Sequence, residues 1–467
     1  MFEKCKKSYF SGKTLRLEWG GMVAISFLML ISFFYLDTKS LTVWSVNLLD
    51  AIADGEIWDY YSYCYINEYG AASKAFAGPY IVLIPWAIWN IPIWLIQKYA
   101  GIAIISNAFM MIWSKLFLVV VESIMLFYAH KITMFLTGDK DKAWWVVFLS
   151  ASFPFTLIGV YYSGQSDIIV LAYATIAIYY LLKNRYVLFL FFSALAIVSK
   201  PFFLFAFVVL ILYTEKNIIK VFIKFLLGCS FSIIFQIIYG NAPMFKESYD
   251  LTPAGENMDM LTRTSFGRVL GTNGSWFFLL FIILCVVAYI KRTTNDEQKK
   301  YFIIYFTTAA MLLVLGFTSI QHYRPIYLVP FLFILFMLND TWYRINMILK
   351  TCYSIATLLA ICCMSDKIFS KASMEHTLIS RFIPMSQRGY ICVREFIEKN
   401  IKDFEVYHKI LATISVACIV VMLVINYPLL KAKPEIECEK CERWVMWIDV
   451  LMMAGILLIV FKMFLII

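Results

Sequence analysis

Residues 159–182 read GVYYSGQSDIIVLAYATIAIYYLL. Two apolar runs meet at a polar knot, Ser163-Gly164-Gln165-Ser166-Asp167. A carboxylate at the mouth of an apolar helix is costly near lipid, and it ordinarily faces a bundle interior or a water-filled cavity. The rest of the chain has the same apolar character. Of its 467 residues 62% are hydrophobic and 15% charged, which excludes an ordinary soluble domain. Long apolar runs recur from Trp19 to the last residue. The sequence therefore predicts an all-α integral membrane protein, a bundle of about 11–14 transmembrane helices.

The expected spans are 19–36, 79–97, 103–136, 143–162, 167–182, 186–213, 222–240, 276–290, 301–319, 325–339, 345–363, 410–427 and 444–462. The net charge of +10 is accounted for by basic residues on cytoplasmic loops, which set orientation. Nucleic-acid binding needs a clustered basic face, and none is present, so no nucleic-acid partner is expected. The basic N-terminus precedes an apolar run, but no small-residue cleavage site follows Phe33-Phe34-Tyr35. That predicts a retained first helix behind a cytoplasmic tail, 1–18. Cysteines such as Cys229, Cys285, Cys362 and Cys363 sit in apolar runs as small buried thiols. Cys438 and Cys441 form one CxxC, short of the four ligands zinc usually takes.

The basic clusters all fall on one face under two conditions. Region 79–136 must cross an odd number of times, with Pro79, Pro85 and Pro92 favouring a broken element. Region 186–213 must turn at Ser199-Lys200-Pro201. The N-terminus is then cytoplasmic. The opposite face receives loop 37–78, the polar knot, Lys200, loop 241–275 and the turn Gln321-His322-Tyr323-Arg324. Segment 364–409 falls there too, although its eight Lys/Arg strain the positive-inside rule.

Loop 37–78 opens with an amphipathic pattern. Trp44, Leu48, Leu49 and Ile52 share one face, and Asp50 and Asp54 share another, which suits a helix lying in the membrane interface. An aromatic run around Asp59 comes after Gly55. Each acid alone reads as wetted surface. A loop this long is more often functional, and a carboxylate walled by aromatics suits a general base. Lys200 either snorkels or is paired, and His322 and Arg324 either anchor the interface or hold an anion. Together the three cations fit a phosphate. Gln165 and Asp167 offer groups that hold sugar hydroxyls, while Ser166 or Asp167 could instead cap the next helix.

These words resemble the C-type (GT-C) multispanning glycosyltransferases, and within them the bacterial relatives of the second mannosyltransferase of the GPI-anchor pathway. YYSGQSDII (161–169) resembles that group's Gly-Gln-Ser-Asp motif, LAIVSKPFFLF (195–205) its helix with a Lys-Pro break, and QHYRPIYLVPFLF (321–333) its late His/Arg-Tyr segment. The acidic first loop with GPYIVLIPWAIWNIP (78–92) resembles the catalytic loop and proline-broken second segment. The likeness covers about residues 15–340, so 19–340 is expected to be the catalytic membrane module and 341–467 a C-terminal transmembrane module of variable type.

The resemblance implies inverting transfer of a mannose-like hexose from a polyprenyl-phosphate donor at the outer face of a bacterial plasma membrane. The acceptor would be a lipid-linked or cell-surface glycan, and membrane lipid would surround the site. An aspartate would be the base, Gln165 and Asp167 would line the pocket, and Lys200, His322 and Arg324 would hold the phosphate. The family's acid falls a few residues past the first helix, and here Leu41 and Thr42 stand near that slot. The base therefore stays open among Asp37, Asp50, Asp54 and Asp59, with Asp50 and Asp59 favoured. No cofactor is obligatory in this reading, although paired acids could take a divalent cation. The rival classes are a lipid-linked sugar transporter or flippase, a polysaccharide polymerase or ligase, and a dead scaffold. The transporter would bury charges across several helices and usually show repeats. The polymerase or ligase would use Arg381, Arg388 and Arg394 of a late outer loop.

Overall fold

The computed structural model describes residues 15–34, 36–66, 80–240, 245, 257–269, 272–318, 321–364, 368–375, 377–385, 391–428 and 441–465. Helix makes up 82% of it, and the hairpin of Ser265–Val269 with Thr272–Ser275 is the one sheet among the described residues, so the protein is all-α. Six helices are long and apolar enough to cross a membrane: Tyr80–Ala100, Ala108–Thr137, Asp296–Phe317, Tyr343–Met364, Phe404–Ile425 and Trp447–Phe464. Counting each of three bent pairs as one span raises this to nine, and five further apolar helices have 10–17 residues. A total of about 11–14 spans is reached only by counting those short helices as well.

The site draws on segments among the first ten α-helices, α1 (Leu15–Ser32), α2 (Leu36–Ala53), α3 (Tyr60–Ile66), α4 (Ile84–Ala100), α5 (Ala108–Thr137), α6 (Lys140–Ser152), α7 (Pro154–Thr156), α8 (Asp167–Leu182), α9 (Tyr186–Ser199) and α10 (Phe202–Thr214), and on the later 3₁₀ turn Arg324–Leu328 with the residues just before it. The sequence sets several of their ends. The Asn107 side chain accepts from the N–H groups of Phe109 and Met110 at 3.0 and 3.3 Å and starts α5. Gly138, with φ of 66°, ends it in a left-handed cap. Asp139 then caps α6 in the same manner as Asn107.

Three expectations meet different outcomes. The break at Lys200 is present: Lys200 is extended, with φ of −159° and ψ of 141°, between α9 and α10. The broken element expected at Pro79–Pro92 is instead one helix. A 3₁₀ turn over Tyr80–Leu83 runs into α4, Pro85 sits in the first turn where its missing N–H costs nothing, and the helix continues through Pro92. Region 80–137 thus holds two helices of spanning length.

The third concerns the helix expected from Trp44. It starts earlier, at Leu36, and is bent 64° from α1. Leu48 and Leu49 enter the core, but Ile52 is exposed. Thr42 and Ser45 are buried as well, because α4 and α5 supply partners for them, while Asp50 is partly buried and Asp54 stays exposed. Thr42 Oγ1 meets Ser114 Oγ at 2.7 Å, Asn90 Nδ2 donates to Ser45 Oγ at 2.8 Å, and Trp86 Nε1 donates to Ser114 Oγ at 2.9 Å. Helix α2 is therefore packed against α4 and α5 along that side, with Ile52 and Asp54 left exposed.

The C-terminal region packs back on this assembly. Lys350, on Tyr343–Met364, forms an ion pair with Asp449 on the last helix, Cys441–Phe464, and both side chains are buried. Phe369 donates its N–H to the Tyr162 hydroxyl at 2.6 Å and rests its ring on Tyr162 at 4.7 Å. Residues 1–14 of the expected N-terminal tail, residues 67–79 of the first loop, most of 241–256, Arg388 and Cys438 lie outside the described residues, as does the side chain of Arg381.

Candidate functional site

Two helix breaks lie side by side. One separates α1 from α2. The other comes after α7, where Leu157–Ser163 winds as a π-helix, a form frequent at functional sites, and ends at Gly164. Gly164 has φ of 70°, and its N–H reaches the Gly159 carbonyl. A Cβ placed on Gly164 would stand 2.0 Å from Thr38 Oγ1 and 3.3 Å from the Thr38 backbone nitrogen. Glycine is required there on both counts, and its bareness admits the start of α2 against the polar knot. Asp37, in the first turn of α2, is thereby met by Gln165, whose Nε2 donates to Asp37 Oδ2.

Asp167 opens α8 and is fully buried. It does not act as a cap, and neither does Ser166, which makes no side-chain cap bond. Instead Asp167 Oδ2 pairs with Lys200 Nζ, and Oδ1 accepts from the Tyr327 hydroxyl. Lys200 keeps 26% of its side chain exposed and lies 5.7 Å from the Tyr323 ring centroid. Ser163 Oγ and His322 Nε2 are 3.1 Å apart. Arg324 is buried over the Phe202 ring at 4.9 Å, with Nη1 2.8 Å from the Met260 sulfur. Burial, and next the Asp167 carboxylate, push the Tyr323 phenol above its ordinary range, so it remains a donor and serves Gln321. That phenol also feels the charges of Arg324 and Asp37.

Of the residues singled out from sequence, Gln165, Asp167, Lys200, His322 and Arg324 come together here, with Asp37 beside them. Asp50 and Asp59 lie elsewhere. Asp50 accepts from Trp94 Nε1 at 2.7 Å, Asp54 accepts from the Tyr63 hydroxyl at 2.6 Å, and Asp59 is exposed near Tyr239. Thirteen helical residues separate Asp50 from Asp37, about 20 Å at the usual rise. Sequence reasoning missed Lys115, Tyr327 and Thr38. A signal for Lys115 was present, since a lone lysine in MMIWSKLFLVVV is the kind of intramembrane charge that marks a site.

Chemically, the arrangement pairs an exposed carboxylate with a carboxamide donor and surrounds it with cations. Such a set can take a proton at one point while meeting an anion at another. Among the described residues no three His, Cys, Asp or Glu side chains converge as a metal-binding set. Comparison with protein-family models, with curated proteins and with solved structures found no match to the chain. The fold and the site together define a multi-pass, all-α protein with a cluster of charged and polar side chains at adjoining helix breaks, and the functional reading rests on those residues.

Proposed function

We propose that the chain is a C-type membrane glycosyltransferase. It would move a hexose from a polyprenyl-phosphate donor to a glycan or lipid acceptor at the outer membrane face. The observation that supports this best is the meeting of Asp37 with Gln165 beside the Asp167–Lys200 pair, His322 and Arg324. Asp37, rather than Asp50 or Asp59, is assigned as the base in this reading, because it alone of the first-loop acids touches the polar knot among the described contacts. The acceptor hydroxyl gives its proton to Asp37 as its oxygen bonds to the anomeric carbon. The bond from that carbon to the phosphate oxygen breaks, and the polyprenyl phosphate leaves with the electron pair. Attack from the face opposite the phosphate inverts the centre. Lys200, His322 and Arg324 meet the phosphate charge, and Asp167, held by Tyr327, aims Lys200. No metal is obligatory in the scheme.

A lipid-linked sugar transporter is the second reading, and one observation favours it. Lys115, Glu122, Lys350 and Asp449 are charged side chains buried in long apolar helices. Each is nonetheless engaged locally: Lys115 with backbone carbonyls, Glu122 with the Tyr161 hydroxyl at 2.7 Å, and Lys350 with Asp449. The test is transfer of labelled hexose in membranes from cells with and without the gene. The enzyme reading expects a gene-dependent product that disappears with Asp37→Asn at normal protein level and persists with Asp50→Asn. Lipid-linked donor accumulating on the inner face, with every product otherwise made, would select the transporter.

A further inference from the structure

Lys115 sits two turns into apolar α5 and is completely buried. Its ammonium donates to the Phe33 carbonyl at 2.5 Å, the Tyr161 carbonyl at 2.5 Å and the Tyr162 carbonyl at 3.3 Å. Three N–H donors thus meet three acceptors. Those acceptors share an origin. Phe33 lies just past the end of α1, and Tyr161 and Tyr162 lie in the last turn of the π-helix, so all three are carbonyls that a helix end leaves without an intrahelical partner. Two helix C-termini direct their partial negative charge at the Lys115 amine, which offsets part of the cost of burying it.

The residues just beyond each C-terminus matter as much. Four residues past Phe33 comes Asp37, and past Tyr162 come Gly164 and Gln165. Asp37 is also the acid within electrostatic reach of Lys115. The ammonium therefore ties together, from beneath, the two breaks whose upper ends carry the Asp37–Gln165 contact. An apolar side chain of the same length would leave three buried carbonyls without donors.

We infer that Lys115 is the positioning residue that sets Asp37 against Gln165 by clamping both helix ends. The inference rests on the glycosyltransferase reading for its kinetic consequence, and on geometry alone for its structural one. Lys115 touches neither donor nor acceptor in this scheme.

Two readouts separate the two. The full-length protein carrying Asp37→Cys with Gln165→Cys is oxidised mildly in membranes, and the crosslinked peptide is quantified with Lys115 intact, Lys115→Met, Lys115→Gln and Lys115→Arg. Otherwise unaltered Lys115 variants are assayed for transfer from a polyprenyl-phosphate hexose. The expected result is a crosslink lowered at least fivefold by Lys115→Met, and a kcat lowered on the order of 100-fold with KM little changed. Lys115→Arg, which keeps charge and donors, recovers part of both. If Lys115→Met does not accumulate, Lys115→Gln carries the expectation in smaller measure. Full crosslinking and full kcat in an accumulated Met or Gln variant overturn the inference. Loss of the crosslink in a protein that transfers no sugar even with Lys115 intact keeps the clamp and removes the glycosyltransferase reading.

Discussion

Replacing Gly164 by alanine tests how the two breaks are fitted. Two penalties enter. The first is conformational: at φ of 70° an alanine pays roughly 1–2 kcal/mol for the left-handed backbone. The second is a collision, because the new Cβ would lie 2.0 Å from Thr38 Oγ1, where ordinary contact begins at 3.4 Å. The Thr38 Cβ and backbone nitrogen, at 3.2 and 3.3 Å, need to give only slightly, so Oγ1 is the atom that decides the clash. With Thr38 in its present rotamer the start of α2 must move by about 1.4 Å, and Asp37, one residue before Thr38, moves with it. A displacement of that size at a reacting group lowers a rate about 100-fold. The assay is kcat for hexose transfer, with detergent-solubilised thermal unfolding alongside. Thr38 Oγ1 has no hydrogen-bond partner among the described residues, so Thr38→Ala alone is expected to be mild. Gly164→Ala with Thr38→Ala should regain most of the rate and retain only the backbone penalty in stability. A Gly164→Ala protein with unaltered kcat and unfolding temperature would refute the close approach, and failure of the double variant to recover would refute the collision as its cause.

The remaining expectations concern the charges. Asp37→Asn should lower kcat by about 10²–10⁴-fold while protein level is unchanged, and Asp59→Asn should leave transfer within about twofold, both read in membranes. Tyr327→Phe removes one of the two partners of the buried Asp167 and should destabilise by about 1–3 kcal/mol in denaturant or thermal unfolding, with a smaller effect on KM than Lys200→Ala. Lys350→Met strands Asp449 and should cost about 3–5 kcal/mol, whereas Lys350→Met with Asp449→Leu should return close to the wild-type unfolding temperature. Chelation with EDTA should leave transfer intact, since Lys200 and Arg324 meet the phosphate charge in the scheme proposed; full loss restored by Mg²⁺ would put a cation into it.

The polar knot, the break at Lys200-Pro201 and the cations of 321–324 were legible because each interrupts an apolar run, and an interruption in a membrane chain has few inexpensive explanations. Their convergence was not legible, as it depends on a π-helix and on a left-handed glycine admitting α2. The burial of α2 was hidden for a different reason. The apolar face of Trp44, Leu48 and Leu49 is legible beside Asp50 and Asp54, but the burial of Thr42 and Ser45 depends on α4 and α5, which bring Asn90, Ser114 and Trp86 to them. Pro92 reads as a break in any local rule, yet the helix around it is held by tertiary packing and continues. Asp50 on the polar face of its helix and Asp59 among tyrosines are both visible in local sequence, while the partner of Asp37 lies 128 residues away and is not.

The pairing of Lys350 with Asp449 also has a consequence in time. The two partners are 99 residues apart, and the chain grows at roughly 5–20 residues per second. For about 5–20 s on the ribosome, Lys350 enters the bilayer as an uncompensated cation, with its counter-ion not yet synthesised. During that interval the helix 343–364 is a poor candidate for stable insertion and a good substrate for membrane quality control. Arrival of the last helix converts it into a neutral pair. A chain stopped before residue 449 would carry the defect permanently, so completion of synthesis is written into the stability of a helix laid down a hundred residues earlier.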